Sequence, residues 1–312
     1  MMTVTILVPV YGVEKYIAQC AESLFAQTYP NIEYVFCDDC TPDRSIEVLQ
    51  SVMEKYPERK AAVRIIRQDH NSGLGGARKR LLQEVHTDTF CLVDADDTLP
   101  IDAIDILVKR METTRKDIVE GAFRELRNDI LSKPILRYKG NENTYRNRIL
   151  CCNLENHCVW GKLYKSSLIE LLPDMFVEGI DCSEDYCATS RILALASRTY
   201  TEGVTYHYRV DSNGTFKDTV SRKNFLSTVK ACSKVLQFYR SYGRLGLAVE
   251  VGVLNVYRVR RRSDVSLYET DRLLHYVPEN LSARMVCSLL RTDKYYKLGD
   301  FLYRALRTIA AR

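Results

Sequence analysis

The residues best placed to do chemistry form an acidic cluster, Asp94-Ala95-Asp96-Asp97, directly after the apolar run 90–93. A short apolar run of this kind is typical of a buried strand, so the carboxylates should emerge together where the strand ends. Clustered like charges raise one another's pKa, which is costly unless a cation offsets it. A hard divalent ion that also binds substrate phosphates would do so. The alternative is a solvated acidic turn that caps a helix starting near Ile101.

A second pair of carboxylates, Asp38-Asp39, closes another strand-like segment, and Thr41-Pro42-Asp43 then turns the chain into a helix. A loop carboxylate can accept hydrogen bonds from a nucleobase N–H or from ribose hydroxyls. In the alternative interpretation Asp39 caps the turn and Asp43 caps the helix. The pair alone does not choose between binding and capping.

The segment 71–78, Asn-Ser-Gly-Leu-Gly-Gly-Ala-Arg, is a glycine-rich entry to a helix. Such an entry lets the backbone approach an anion at the helix N-terminus. The spacing matches neither the dinucleotide-binding GxGxxG pattern nor a P-loop. Arg78 could add a bidentate phosphate contact, or it could be an ordinary surface residue.

Glu184-Asp185 follows a loop that contains Gly179 and opens a further helix. One of these carboxylates could act as general base toward a hydroxyl, an effect worth roughly 10²–10⁴ in rate. Both acids would equally suit the positive end of a helix dipole, so the pair alone is ambiguous.

The cysteines give little support to a metal or redox site. Cys37 and Cys40 have CxxC spacing, but a zinc site would need a second pair at defined spacing, and Thr41-Pro42 follows where a thioredoxin-like motif would continue into a helix. With 11 cysteines and no basic, apolar N-terminal signal segment, we interpret them as reduced, buried thiols.

The first half of the chain must position these groups. Segments 5–8, 32–36, 63–66 and 90–93 read as strands, and helical segments alternate with them at 14–27, 44–56 and 75–85. This alternation predicts an α/β fold with a mainly parallel central sheet covered by helices on both faces. In such sheets ligands bind outside the carboxyl ends of the strands, so segments 9–11, 38–39 and 94–97 should share one rim.

The charge distribution divides the chain. The net charge is +5, yet the part from Lys217 onward holds 19 Lys and Arg against 8 Asp and Glu. After Asp218 the sequence reads as helices with few turn signals, and no apolar run reaches the length of a membrane span. We therefore predict a catalytic domain at residues 1–215 and a basic helical extension at 216–312.

Taken in order, the motifs resemble a family-2 inverting glycosyltransferase with the GT-A fold. Segments 6–16 and 27–33 resemble that family's first strand and its approach to the second, and Asp38-Asp39 its nucleotide-binding pair. Five further segments resemble family motifs in the same order: the glycine loop, the DXD region at 92–97, the acceptor-side segment 160–165, the ED motif Glu184-Asp185 and the closing strand 206–209. The likeness spans residues 3 to about 215. It departs at Cys40-Thr41, at Gly12 and at Lys79-Arg80.

The resemblance implies specific roles. A nucleoside-diphosphate sugar, with UDP as the expected nucleotide, would lie over the rim, with Tyr11 and Asp39 on the uridine. Asp185 would be the catalytic base of an inverting displacement. The full set of expected site residues is Pro9, Tyr11, Glu14, Asp39, Gly73, Arg78, Asp94 and Asp96 for the nucleotide sugar, Asp96 and Asp97 for Mg²⁺ or Mn²⁺, and Trp160, Lys162 and Glu184 on the acceptor side.

Two rival functions remain open at this point. A sugar-1-phosphate nucleotidyltransferase shares the scaffold but would need a basic glycine-rich loop after the first strand, where segment 9–14 is neither. A non-catalytic nucleotide-sugar-binding partner subunit is the other, and a UDP-release assay would separate it from an enzyme. The sequence does not name the sugar, the acceptor or the linkage.

The basic tail raises a separate hypothesis, contact with a membrane surface. Leu298, Leu302, Ala305, Leu306 and Ile309 can share one helical face, and arginines lie elsewhere. Basic amphipathic helices favour anionic lipid interfaces, although a helix packed on the protein with solvated arginines is an equal alternative. We expect a cytoplasmic enzyme acting on a glycan or lipid-linked glycan of a surface polysaccharide, with the inner face of the membrane within reach of the tail. No nucleic-acid motif accompanies the basic charge.

Overall fold

The structure is a computed structural model that describes residues 1–137, 139–151, 157–210, 221–243 and 245–311. The chain forms two compact units. The first contains Met1–Lys139, Val159–Gly179 and Leu195–Gly214, and the second contains Gly140–Cys158, Ile180–Ala194 and Thr215–Arg312. Two segments that precede residue 215 are thus grouped with the C-terminal helices. The predicted boundary at 215/216 lies outside the described residues.

The first unit is built on one mixed sheet. Its strands are β1 (Val4–Val10), β2 (Ile32–Asp38), β3 (Val63–Arg67), β4 (Thr89–Leu92), β5 (Ile118–Arg127), β6 (Ile130–Leu131), β7 (Lys162–Lys165) and β8 (Arg198–Arg209). They lie in the order β3-β2-β1-β4-β7-β5-β6, and β8 also pairs with β5. The first four strands are parallel, whereas β7 runs antiparallel to both β4 and β5.

The described helices that belong to the first unit are α1 (Ile17–Phe25), α2 (Ser45–Met53), α3 (Pro57–Lys60), α4 (Gly73–Leu82), α5 (Ala103–Thr114) and α7 (Ser167–Leu171). Strands β1, β2 and β4 are almost wholly buried, as expected for parallel strands that helices cover. Helix α4 packs on β1 and β2, and α5 packs on β5 and β8. The predicted strands and helices of the first half are therefore confirmed, and so is the α/β class.

The second unit is helical. It comprises α6 (Glu142–Leu150), α8 (Glu184–Ile192), α9 (Arg222–Ser241), α10 (Leu247–Arg260), α11 (Leu267–Leu274), α12 (Leu281–Arg291), a 3₁₀ turn (Asp293–Tyr295) and α13 (Tyr296–Ala310). One core joins these helices, with residues of α6 and α8 beside those of α9, α10, α12 and α13. Within the described residues, no helix has the length and apolar character needed to cross a membrane.

Candidate active site

The loop after β1 is held against the loop after β2 by hydrogen bonds from consecutive amides. Gly12 N donates to Thr41 Oγ1 at 2.9 Å, Val13 N to Ser45 Oγ at 3.1 Å, and Glu14 N to Asp43 Oδ2 at 2.9 Å. Gly12 has φ +67°, a left-handed conformation that glycine adopts without steric cost. Tyr11 stands at this corner with about half of its surface exposed. The ring that was predicted to meet a nucleobase is thus open to a ligand.

Glu14, which we predicted at the nucleotide-sugar site, is hydrogen-bonded within this loop pair. Its Oε1 accepts from Arg44 Nε at 3.1 Å and from the second guanidinium nitrogen at 2.8 Å, and its Oε2 accepts from the Arg44 amide. The Arg44 amide and guanidinium lower the pKa of Glu14. Pro9 remains inside β1, in register with Cys37. We therefore do not assign a ligand to the carboxylate of Glu14.

Asp39 follows β2 directly and is firmly positioned at the rim of the sheet. It is 3% exposed, and its Oδ1 accepts from the Ser72 amide at 2.8 Å, from the Ser72 hydroxyl at 3.0 Å and from Gln68 Nε2 at 2.9 Å. These bonds go to one oxygen, and in the described part of the chain none reaches Oδ2. The turn-capping role expected for Asp39 falls to Asp38, whose Oδ1 accepts from the Thr41 amide. Asp39 is consequently fixed with one oxygen left for a ligand.

The glycine-rich entry to α4 supports Asp39 and Asp94. The Ser72 amide is bonded to Asp39, and the Gly73 amide donates to Asn71 Oδ1 at 3.1 Å, so these two amides are already used by protein side chains. Arg78, expected at a phosphate or at the surface, is 1% exposed and pairs with Asp94 Oδ1 at 2.7 Å. The loop therefore positions two carboxylates of the rim.

The acidic cluster after β4 is a tight turn, closed by a bond from the Asp97 amide to the Asp94 carbonyl at 3.0 Å. Asp97 is 1% exposed, and it accepts from the Tyr206 hydroxyl at 2.7 Å and from the Arg209 amide at 2.7 Å. Burial, with Asp96 and Asp94 nearby, raises the pKa of Asp97 well above its usual range. The cluster does not cap the following helix, which begins at Ala103 with no side-chain cap. Asp97 thus holds the turn from inside.

Tyr206 ties both ends of this turn to β8. Its hydroxyl donates to Asp97 Oδ2 and accepts from the Asp94 amide at 3.0 Å. Burial and the neighbouring Asp97 raise the pKa of the Tyr206 hydroxyl well above its usual range, so it stays a donor. The ring stacks on Trp160, with centroids 4.4 Å apart. At the C-terminal end of the strand, Arg209 Nε donates to the Asp96 carbonyl at 3.0 Å.

Asp96 is the carboxylate of the cluster that fits a metal ion. Its side chain is half-buried, and among the described residues no donor is bonded to its carboxylate. The described residues contain no group of three or more His, Cys, Asp and Glu side chains able to hold an ion by themselves. One carboxylate completed by substrate phosphates is a usual arrangement for Mg²⁺. The residues present therefore fit a cation that arrives with a nucleotide, and Asp96 rather than Asp97 has the accessible oxygens.

Trp160 and Lys162, the predicted acceptor-side residues of segment 160–165, contact side chains of neighbouring strands in the sheet. Trp160 is 7% exposed and lies between Tyr206 and the partly exposed Tyr208, with stacked rings 4.4 and 5.2 Å apart. Lys162 is 1% exposed and pairs with Glu120 Oε1 at 2.8 Å. Burial alone would raise the pKa of Glu120, but Lys162 and a second cation, Arg198, lower it to about 2. We do not carry Lys162 into the proposed site.

Glu184 and Asp185 form the first turn of α8, in the second unit. The preceding loop is anchored on α9, because Ser227 Oγ accepts from the amides of Asp181 and Cys182, each at 2.9 Å. Ser183 takes a left-handed φ of +66° immediately before the helix. Asp185 is half-buried on a fixed turn, as a base would need to be.

Sequence reasoning missed the residues that hold the carboxylates. Gln68 follows β3 directly, so the rule that sheet ligands gather at strand ends could have found it. The role of Tyr206 depends on pairing between β5 and β8 across a long insertion, and no local pattern signals that contact.

A sequence model described as Glycosyl transferase family 2 matches residues 5–172. The chain is 29% identical over 274 residues to the uncharacterized glycosyltransferase EpsJ of Bacillus subtilis (strain 168), covering 83% of this chain and 75% of that protein.

Two solved structures share the fold. The S. aureus TarS 1–349 structure in complex with UDP-GlcNAc aligns with TM-score 0.68 at 17% identity, over 98% of this chain and 91% of that one. The mannosyltransferase PcManGT of Pyrobaculum calidifontis, solved with GDP-Man and Mn²⁺, aligns with TM-score 0.53 at 15% identity, over 99% and 87%. Together with the family match over more than half of the sequence, these findings show that the chain belongs to glycosyl transferase family 2 and has the GT-A fold.

Proposed function

We propose that this glycosyltransferase uses a UDP-sugar and a divalent metal ion and transfers the sugar, with inversion, to a glycan acceptor in polysaccharide biosynthesis. The observation that carries the proposal is Asp39, whose Oδ1 is fixed by Ser72 and Gln68 while Oδ2 is left for a ligand. A carboxylate oxygen suits the imide N–H of uracil, which is a donor. The exposed Tyr11 beside it offers a ring for the base. TarS, which shares the fold, binds UDP and UDP-GlcNAc.

Asp96 would hold the metal ion, and Asp94, fixed by Arg78, would accept from the ribose hydroxyls or support the metal shell. When bound, Mg²⁺ or Mn²⁺ would offset the charge that develops on the departing diphosphate. Asp97 and Tyr206 stay beneath the turn and keep Asp94 and Asp96 in place.

Asp185 is proposed as the general base because it matches the ED motif and stands on an anchored first turn of α8. An Oδ atom of Asp185 takes the proton from the acceptor hydroxyl while that oxygen bonds to the anomeric carbon. The bond from that carbon to the diphosphate oxygen breaks, and UDP leaves with the bonding electrons. A single displacement of this kind inverts the configuration at the anomeric carbon.

The nucleotide half of the proposal is tested by titrating UDP, GDP and ADP into the wild-type chain and the Asp39→Asn variant by calorimetry. The variant places an N–H₂ where the imide needs an acceptor, so UDP affinity should fall about tenfold or more, as for a polar group left unpaired. Asp38→Asn is the matched control, because Asp38 is bonded to the Thr41 amide and should leave UDP affinity unchanged. Equal UDP binding by wild type and Asp39→Asn would contradict the uridine assignment.

The catalytic half is tested by metal-dependent UDP release from a panel of UDP-sugars with and without glycan acceptors. Asp185→Asn should lower turnover by about 10²-fold or more while retaining UDP affinity, as expected for loss of a general base. Asp181→Asn changes a carboxylate of the preceding loop and should keep near-normal turnover. Near-normal turnover by Asp185→Asn would remove Asp185 from the role, and UDP binding without release by the wild type would favour a non-catalytic partner subunit.

A further inference from the structure

The outward face of α13 is apolar, contrary to the usual pattern of a surface helix. The helix buries Gly299, Tyr303, Leu306 and Ala310 in the core of the second unit. On the other side Leu298 is 50%, Phe301 68% and Ile309 61% exposed, and Ala305 is exposed between them. These four positions are three or four residues apart, so they form one continuous stripe, which we call the α13 stripe.

The α13 stripe differs from the face predicted by sequence. Leu306, assigned to that face from its spacing, is 8% exposed and belongs to the core, whereas Phe301 replaces it on the surface. The helix is therefore apolar on two sides. The apolar residues on the inner side pack in the core of the second unit, whereas those of the α13 stripe are exposed.

Cations gather at the start of the α13 stripe. Lys294 and Lys297 are exposed there, and Arg261, at the end of α10, lies over the ring of Tyr296 with 4.1 Å between the guanidinium carbon and the ring centroid. Arg262 follows and is exposed. The acid of α13 itself, Asp300, is paired with arginines.

Asp300 accepts from Arg258 Nε at 2.7 Å and pairs with Arg304 at 2.9 Å. These two arginines hold the pKa of Asp300 below its usual range, against the opposing effect of burial, so the acid is ionised and neutralised locally. Asp300 therefore does not offset the charge of the exposed Lys294 and Lys297 at the start of the α13 stripe.

We propose that the α13 stripe docks the protein on an anionic lipid surface, with α13 lying in the plane of the interface. An apolar face flanked by Lys and Arg is the pattern of an interfacial helix, and anionic head groups would neutralise the cations while the apolar side chains enter the acyl boundary. A second copy of the chain, docked through the same face about a two-fold axis, would offer the α13 stripe the same apolar and basic side chains, whereas an anionic lipid surface supplies the opposite charge. The charge therefore favours lipid over self-association, and the surface is independent of the sugar that is transferred.

The test is co-sedimentation of the full chain with vesicles of equal parts phosphatidylglycerol and phosphatidylcholine, and with vesicles of phosphatidylcholine alone. Wild type should bind the anionic vesicles, and about 0.5 M salt should weaken that binding because it screens the surface charges. The double variant Phe301→Ser/Ile309→Ser should bind about tenfold more weakly or worse, since it removes two of the exposed apolar side chains that would enter the lipid. The matched control is Tyr268→Ser/Val277→Ser, which changes two side chains of the same unit that are 76% and 70% exposed and lie off the stripe.

Circular dichroism and UDP titration establish that each variant is folded. Equal vesicle binding by wild type and Phe301→Ser/Ile309→Ser, or no binding by the wild type, would overturn the proposal. Light scattering after gel filtration tests whether a second copy of the chain occupies the α13 stripe. A wild-type dimer that Phe301→Ser/Ile309→Ser converts to a monomer, with no difference in vesicle binding, would assign the α13 stripe to self-association instead.

Discussion

The hydroxyl of Tyr206 offers the sharpest test of how the fold positions the acidic turn. Tyr206→Phe keeps the ring that stacks on Trp160 and removes only the oxygen that bonds Asp97 Oδ2 and the Asp94 amide. A hydrogen bond to a charged or strongly polar buried acceptor contributes about 1.5–3 kcal/mol, and an amide left without its partner adds to the loss. We therefore expect the free energy of unfolding to fall by about 3 kcal/mol.

The UDP affinity of Tyr206→Phe distinguishes a role in positioning the acidic turn from a role in overall stability alone. Without the Tyr206 hydroxyl the turn loses one bond to β8 at each end, while Arg209 still bonds Asp96 and Asp97. Asp94 and Asp96 should therefore be held less firmly in the positions that a nucleotide sugar requires. UDP affinity measured by calorimetry at saturating Mn²⁺ should fall by about fivefold or more, equivalent to about 1 kcal/mol. The assay is run well below the unfolding midpoint of the variant, which urea titration followed by circular dichroism provides.

Tyr34→Phe is the matched control. Tyr34 is fully buried in the same unit, and its hydroxyl donates to the Leu24 carbonyl at 3.0 Å. Loss of that neutral bond should cost about 1 kcal/mol of stability, with UDP affinity unchanged. If Tyr206→Phe and Tyr34→Phe lose the same stability and both retain full UDP affinity, Tyr206 does not position the acidic turn and the reasoning is refuted.

Three further predictions follow from other contacts. Glu120 has a pKa of about 2 in the folded protein against an ordinary value of 4.5, so the stabilisation of about 3 kcal/mol that its ionised form provides is present above pH 4.5 and is lost as pH falls toward 2. The difference in free energy of unfolding between wild type and Glu120→Gln, measured in urea, should therefore narrow between pH 4.5 and 2. A difference that stays constant would contradict this prediction. The added methyl group of Gly76→Ala would overlap the Ser72 side chain and disturb its hydrogen bonds to Asp39. We expect about 1–3 kcal/mol of destabilisation and weaker UDP binding. Unchanged UDP binding would show that the Ser72–Asp39 bonds do not matter for the nucleotide. Cys40 has a left-handed φ of +57°, which favours glycine, but its Sγ also donates to the Gln68 carbonyl at 3.0 Å. These effects oppose each other, so Cys40→Gly should change the free energy of unfolding by no more than about 0.5 kcal/mol, and a larger shift in the urea midpoint would contradict this balance.

The gathering of polar residues at one edge of the sheet was predictable because it depends on local sequence patterns. Short apolar runs that end in polar residues gave the four parallel strands, and parallel strands bring their carboxyl ends to one edge. Asp39 and Asp94–Asp97 could therefore be assigned to a common edge before any coordinates. The family assignment rests on the same ordered motifs, and the match over residues 5–172 confirms it.

The different contacts of the three carboxylates in the acidic turn were not predictable from local sequence patterns. Asp94, Asp96 and Asp97 are adjacent in sequence, yet one pairs with Arg78, one is left accessible and one is buried beneath Tyr206. Which side chain turns inward depends on the chain that packs beneath the turn. That chain is β8, which follows the turn by about a hundred residues.

The fold class, the family and the edge of the sheet where the carboxylates gather could be inferred from the sequence, because alternating apolar segments and strand-end motifs are local properties. Three facts could be read from the folded protein alone: Lys162 is a buried counter-ion, Leu306 faces the core while Phe301 faces outward, and Asp96 keeps its oxygens accessible. Burial and ion pairing are set by residues distant in sequence, and a side chain's charge or hydrophobicity does not say which neighbour the fold will bring to it.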